Sequence, residues 1–368
     1  MTAPPLLLEA PGSVGVYRFP TPGPETDGTF AWTSTVAVTV SLSAGGVTGL
    51  GWTYSTPAAA AIIEHELLPI LAGRSPWDIA QCRSELRRAC RDIGTTGVVA
   101  HALSAIDIAL WDLKARLLDS PLTRLLGTVR LATPVYGSGG FTNLPDDELA
   151  DQILGWLSAG CTAVKIKIGR DIARDLDRLI LATELVTGRA ELMVDADGAY
   201  SVGAARRWGA ALDELGVTWF EEPVPSADRA GLAAVRDSVE CDVTAGEYIC
   251  EPFGAAALLG AVDCLQLNVT RCGGYSGFLE GAALAAAHGL DVSAHGAPAL
   301  HAPIAAAVPN LRHAEWYVDH ARLEPLLVEG VPEVVDGLLP HSGKLGAAAD
   351  DIVGHGMSLA VSATEFRL

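Results

Sequence analysis

From Thr133 onward the chain repeats one unit: a short apolar run, a polar residue at its end, then an Ala- and Leu-rich helical stretch. Eight such runs are read at Thr133–Ser138, Ala163–Ile168, Glu191–Ala196, Val217–Glu221, Val243–Glu247, Asp263–Asn268, Asp291–His295 and His313–Tyr317. Helical segments such as Asp146–Ala159, Ala204–Leu215 and Gly277–His288 lie between them. The strand-to-strand interval, roughly 20 to 30 residues, is what a parallel crossover needs. Eight units predict a closed (β/α)8-type barrel. A doubly wound sheet is the alternative, but no Gly-x-Gly-x-x-Gly follows an early strand to support it.

Residues 1–130 read differently, as an α+β capping domain. The Gly/Pro-rich stretch Pro11–Gly28 predicts a mobile loop. Thr33–Leu42 alternates and is rich in Val and Thr, as a strand does, and Gly45-Gly46 turns it into a second strand at Val47–Tyr54. Leu103, Ile106, Leu110, Leu113 and Leu117 recur at helical spacing within Val98–Leu118, and Pro121 stops that helix. The barrel is expected over 131–340, with the segment 341–368 returning to the cap.

A barrel of about 250 residues plus a cap accounts for the 368 residues. The net charge of −19 and the lack of a Lys/Arg cluster argue against a nucleic-acid partner. An anionic substrate then needs a local positive centre. The seven cysteines are scattered, with no Cys-x-x-Cys pair, which points to a reducing cytoplasm. No basic residue precedes the Leu6–Leu8 run, unlike a secretory signal, and no run of about 18 residues is apolar enough for a membrane span.

The strand ends carry the chemistry. In order they are Ser138, Lys165 with Lys167, Asp195, Glu221, Glu247, Asn268, His295 and Glu315, and strand C-termini share one mouth of such a barrel. Singly, each reads as a turn residue or helix cap; the set does not. Asp195, Glu221 and Glu247 are each 26 residues apart on successive strands, so their carboxylates can converge. Unscreened, they would raise one another's pKa values, and a hard cation such as Mg2+ relieves this. Lys165 and Lys167 point to one face of their strand, inward, while Val164, Ile166 and Ile168 face the helices. Two adjacent ammonium groups are expected to lower each other's pKa and make one a base near neutral pH. His295 faces them as a second acid/base, and Glu315 could reach the substrate carboxylate if burial keeps it protonated. His65, His288 and His320 read as surface or helix-end residues.

With these motifs assembled, the sequence resembles the enolase superfamily, in its mandelate racemase-like branch. The resemblance rests on Gly49-Leu-Gly-Trp-Thr-Tyr54, Ala105-Ile-Asp-Ile-Ala-Leu-Trp-Asp-Leu-Lys114, Lys165-Ile-Lys167, Val194-Asp-Ala-Asp197, Phe220-Glu-Glu-Pro223, Ala245-Gly-Glu247, Thr270-Arg-Cys-Gly-Gly274 and His295 with Glu315. It implies that Asp195, Glu221 and Glu247 bind Mg2+, and that the ion holds a small carboxylate substrate and stabilises its enediolate. Lys167 would be the base on one face, with Lys165 beside it touching the carboxylate. His295 would serve the other face, and Glu315 would donate to the enolate. A homo-oligomer is also implied. Two positions depart from the branch: Asn268 stands where an Asp normally partners the histidine, and Asp197 where Asn is usual. Asn268 is expected to accept the imidazole N–H without a charge to support an imidazolium.

The leading expectation is a Mg2+-dependent dehydratase of a hydroxy acid, an acid sugar. A racemase or epimerase is the near alternative, and a non-catalytic, ligand-binding descendant the distant one. A lactonising or cyclising isomerase is less expected, because that branch normally carries a lysine on the sixth strand. Substrate contacts are expected from Ser138 and Asp197, and from Trp52 and Tyr54 of the cap, where Pro11–Gly28 would also close over the mouth.

Overall fold

The structure is a computed structural model that describes residues 6–10, 12–341 and 352–368. Pro11, which opens the expected loop, and residues 342–351 of the expected return segment lie outside the described residues.

Eight parallel strands form the barrel: β4 (Ala132–Gly139), β5 (Ala163–Lys167), β6 (Glu191–Asp195), β7 (Val217–Glu221), β8 (Asp242–Ala245), β9 (Cys264–Leu267), β10 (Asp291–Ala294) and β11 (Leu311–Tyr317). Each pairs with its neighbour, and β11 pairs back onto β4 with Ala314 opposite Val135, which closes the ring. A short strand, Leu338–Pro340, adds antiparallel to the start of β4. Val164, Ile166 and Ile168 pack outward on the helices without exposure. The lower barrel is filled by Tyr136, Ala163, Met193, Trp219 and Cys264. His313 sits among them, against Tyr136 and Trp219 and hydrogen-bonded to Ser293, while the charged side chains of the interior gather at the opposite end, where the strands terminate.

β1 (Ser13–Thr26), β2 (Ala31–Ala44) and β3 (Val47–Tyr54) make an antiparallel sheet in that order. The expected loop over Pro11–Gly28 is therefore mostly a 14-residue strand. Its first half alternates, burying Tyr17 and Phe19. Its prolines lie where the register with β2 shifts, between Pro20 and Glu25. An edge strand tolerates this, because one side of its backbone has no ladder to satisfy. The helix Val98–Leu117 packs on the sheet. The approach is close: a Cβ on Gly49 would lie 2.4 Å from Leu113 N, and one on Gly51 2.2 Å from Ala105 O.

The turn between β1 and β2 reaches the barrel mouth. Thr142 N donates to Thr26 O, and Arg170 donates to the carbonyls of Asp27 and Phe30. Residues 352–368 touch both parts of the molecule. His355 N donates to Asp112 and its ring meets Leu50 O. Leu368 N donates to Val16 O, and Ser358–Leu359 pairs with Val328–Glu329.

Candidate active site

Lys165 and Lys167 project from β5 into the barrel and are buried, as are Asp195 and Glu221 at the ends of β6 and β7. Register places Lys167 beside Asp195, and Asp195 beside Glu221. β8 stops at Ala245, two residues short of the expected end. Gly246, at φ +134, turns the chain there and delivers Glu247 to the same centre. Asn268 and His295 follow directly on β9 and β10, and Glu315 and Ser138 lie within β11 and β4. The eight strands thus bring all of these residues to one end.

The polar atoms there are tightly connected. Lys165 Nζ contacts Glu221 Oε2 at 2.5 Å and Glu315 Oε1 at 2.9 Å. Lys167 Nζ contacts Asp195 Oδ2 at 2.5 Å and Asp197 Oδ1 at 2.9 Å. His295 Nε2 lies 2.7 Å from Glu247 Oε2, and Arg271 Nη1 donates to Glu247 Oε1 at 2.9 Å.

These contacts correct two electrostatic expectations. Burial opposes the charge of each lysine, but neighbouring carboxylates outweigh it: Glu221 and Glu315 for Lys165, Asp195 and Asp197 for Lys167. Both lysines are held well above the usual lysine pKa rather than below it. Burial likewise opposes ionisation of Glu315, yet Lys165 and His295 hold it below the usual carboxylate range, so it is not kept protonated. Lysine–carboxylate attraction across strands exceeds lysine–lysine repulsion along one strand.

Asn268 also behaves otherwise than expected. Its Oδ1 is taken by Thr270 N at 2.8 Å and Thr270 Oγ1 at 2.7 Å. The amide nitrogen therefore faces His295 Nδ1, at 3.1 Å. Asn268 donates rather than accepts, which places the proton of a neutral ring on Nε2. Burial works against protonation of His295, while Glu247 and Glu315 pull the other way and raise its pKa overall. The backbone N–H of Thr270 fixes the amide orientation, so the neutral Nε2–H ring fits Asn268 best.

A hard divalent cation fits this end of the barrel. Glu221 Oε1 is buried without a hydrogen-bond partner, and so is Asp197 Oδ2. Burial and then Asp195 push Glu221 up to about 7, the strain that a cation among carboxylates removes. Ligand atoms of Glu221, Glu247 and His295 lie within 4.8 Å of one another. Asp195 is outside that trio because its Oδ2 is turned to Lys167. The carboxylates of Glu221 and Glu247, with Asp195 next to Glu221 across the strands, favour an oxygen-seeking ion such as Mg2+ over a softer metal.

A cavity of about 450 Å³ opens above this centre, bordered by Lys167, Asp197, Glu247, His295 and Glu315. Tyr54 lines it, as do Asp27 and Phe30 of the β1–β2 turn and Trp32 at the start of β2. Trp52 does not reach it. It is fully buried one layer behind, its Nε1 3.4 Å from Tyr54 OH. Ser138 is also set back and donates to Glu315 Oε1 at 2.6 Å. His320 is no surface histidine: it is buried, stacks on Tyr54 at 3.8 Å and accepts Ala297 N at 2.8 Å. Its place directly after the last barrel strand was the available signal. Arg271 was visible only as part of a motif, with nothing to link it to Glu247.

Fold and site together define an enolase-type barrel enzyme of the kind that works on carboxylates. Residues 148–359 match the family model described as enolase C-terminal domain-like, and residues 22–127 match the mandelate racemase/muconate lactonizing enzyme N-terminal domain. The chain belongs to the mandelate racemase/muconate lactonizing enzyme family of the enolase superfamily. It is 33% identical over 311 residues to L-talarate/galactarate dehydratase of Salmonella typhimurium, covering 82% of this chain and 76% of that enzyme. A structure of that dehydratase with Mg and L-lyxarohydroxamate superposes with TM-score 0.89 at 28% identity, covering 99% and 93% of the two chains. Identity to 3,6-anhydro-alpha-L-galactonate cycloisomerase of Streptomyces coelicolor is 32%, over 94% of this chain and 95% of that one. A mandelate racemase/muconate lactonizing enzyme-like protein from Rubrobacter xylanophilus superposes with TM-score 0.93 at 39% identity, covering 99% and 100%.

Proposed function

We propose that this protein is a Mg2+-dependent enzyme that removes the α-proton of a hydroxy-carboxylate and eliminates water, an acid-sugar dehydratase. The observation that carries it is that Lys167 and His295 line one cavity together, with Glu247 against His295. The dehydratase relative with bound Mg supports the same reading. Asp195, Glu221 and Glu247 would hold the ion, which when bound supplies positive charge to the developing enolate oxygens. Lys165 pairs with the carboxylate of the substrate. Lys167 Nζ takes the α-proton as a free amine, for which the ammonium must first be released from Asp195 and Asp197 and lose a proton of its own. The electron pair left at Cα forms the double bond as the Cβ–O bond breaks and the β-hydroxyl takes the Nε2 proton of His295. The ring must first be protonated to the imidazolium against the Asn268 amide; the hydroxyl leaves as water and the ring is left neutral. The resulting enol tautomerises to a 2-keto acid.

A second reading, isomerisation through the same proton abstraction, is favoured by the cycloisomerase relative that spans 94% of this chain. Product NMR separates the two, since only dehydration yields a 2-keto acid with loss of water. Titrating Mg2+ into the protein calorimetrically tests the centre itself. Glu247→Gln is expected to weaken binding at least about tenfold and abolish turnover; unaltered affinity would remove Glu247 from the ligand set.

We further propose a cap of 1–130 with 341–368, a barrel of 131–340, a homo-oligomer and a cytoplasmic location. Contacts of His355 and Leu368 with the cap sheet support the first. The seven free cysteines support the last. No described helix is long and apolar enough to cross a membrane. Light scattering on the purified protein tests assembly.

A further inference from the structure

Trp219 and Glu221 stand two residues apart on β7, so both side chains point into the barrel from the same face of the strand. Trp219 is buried, and its ring lies against Tyr136 and His313 at centroid distances of 6.5 and 5.3 Å. The Arg312 guanidinium lies 5.8 Å from the same ring. These neighbours leave the indole little freedom to tilt. A buried indole N–H needs an acceptor, and this one donates to Glu221 Oε2 at 3.1 Å. Lys165 Nζ donates to that same oxygen at 2.5 Å, and is itself placed 5.2 Å from the centroid of the Tyr136 ring.

The two oxygens of Glu221 are thereby made unequal. Oε2 carries two donors, whereas Oε1 is buried and has none. The lysine has a long, jointed stem and can follow a carboxylate that turns; the indole, packed among rings, cannot. A carboxylate that keeps Oε2 on the indole offers a cation only Oε1. Ligation by one oxygen suits Mg2+, which demands near-ideal octahedral geometry. Ca2+ takes more ligands and accepts both oxygens of one carboxylate.

Resting on the reading of this end of the barrel as a Mg2+ centre, we propose that Trp219 is a positioning residue whose N–H holds Glu221 to the ion through Oε1 alone, and so favours Mg2+ over Ca2+. Trp219→Phe removes the N–H and keeps an aromatic ring beside Tyr136 and His313. The test titrates the metal-free parent and variant calorimetrically with Mg2+ and with Ca2+, their folding checked by circular dichroism. The variant is expected to bind Mg2+ about tenfold more weakly and Ca2+ nearly as well as the parent does. A merely structural loss would weaken both ions alike. Equal losses, or a Mg2+ affinity that does not fall, overturn the proposal while leaving the centre in place. A parent protein that binds no Mg2+ overturns the centre, and the proposal with it. Should the variant fail to fold, a crystal structure of the parent with Mg2+ decides the same point without a substitution. The ion on Oε1 alone, with the indole still on Oε2, is expected; an ion on both oxygens, or an indole N–H turned away, overturns the proposal.

Discussion

Because the amide oxygen of Asn268 is already occupied by Thr270, an aspartate at this position can keep those bonds and turn its second oxygen to His295 Nδ1. The proton then moves to Nδ1, and Nε2 becomes a lone pair supported by a charged partner, an effect of about 1–3 pKa units. Asn268→Asp is therefore expected to raise α-proton exchange from the His295 face and to allow some racemisation. NMR in deuterated water, with substrate of each α-configuration, reads this directly. Exchange unchanged at both faces would show that residue 268 does not govern the imidazole. Lys167→Ala addresses the opposite face. Exchange there should fall by about 100-fold or more, the usual share of a positioned base. Retention of normal exchange would transfer the role to His295.

The β1–β2 turn meets the barrel at its mouth, and its fit depends on Gly28. A Cβ at that position would stand 2.4 Å from Ala196 O and 2.7 Å from Ile168 O, both backbone atoms at the mouth. Gly28→Ala is expected to lift the turn and lower kcat/KM about 10- to 100-fold, with little change in thermal midpoint because the cap sheet stays intact. Kinetics beside a melting curve decide it, and unchanged kcat/KM would free the turn of any part in catalysis. The same element marks where sequence reading stops. Val47–Tyr54 and Val217–Glu221 were legible to the residue, since each is an apolar run bounded by turn formers. β1 was not, because Gly and Pro signal a break unless the strand is known to lie at an edge. The converging carboxylates were legible from spacing alone. The protonation of Lys165 and Lys167 was not, being set by Glu221, Asp195 and Glu315 from other strands. His320 was misread for the same reason, since its burial comes from a tyrosine of the cap.

Cap and barrel are also joined through Glu324, which accepts Ala299 N and Tyr54 OH, each at 3.0 Å. Burial pushes its pKa up to about 8 from an ordinary 4.5. The folded state then binds a proton that the unfolded state releases. Its contribution to stability is full below pH 4.5 and is lost as pH rises toward 8, by about 1.4 kcal/mol per unit within that window. Glu324→Gln, neutral throughout, is expected to gain stability relative to the parent from about pH 5 to 8. Urea midpoints across that range test it, and parallel curves would show that Glu324 does not titrate in the fold. The pairing of β11 with β4 has a further consequence, for synthesis. Each strand after β4 can dock on the one made before it, whereas the ring has no closing member until Leu311–Tyr317 leaves the ribosome. Until then β4 keeps an open edge, the feature that recruits chaperones and seeds aggregation. Nascent chains arrested before residue 311 should therefore remain protease-sensitive along the whole strand–helix series, and acquire resistance in a single step once that last strand is free to pair.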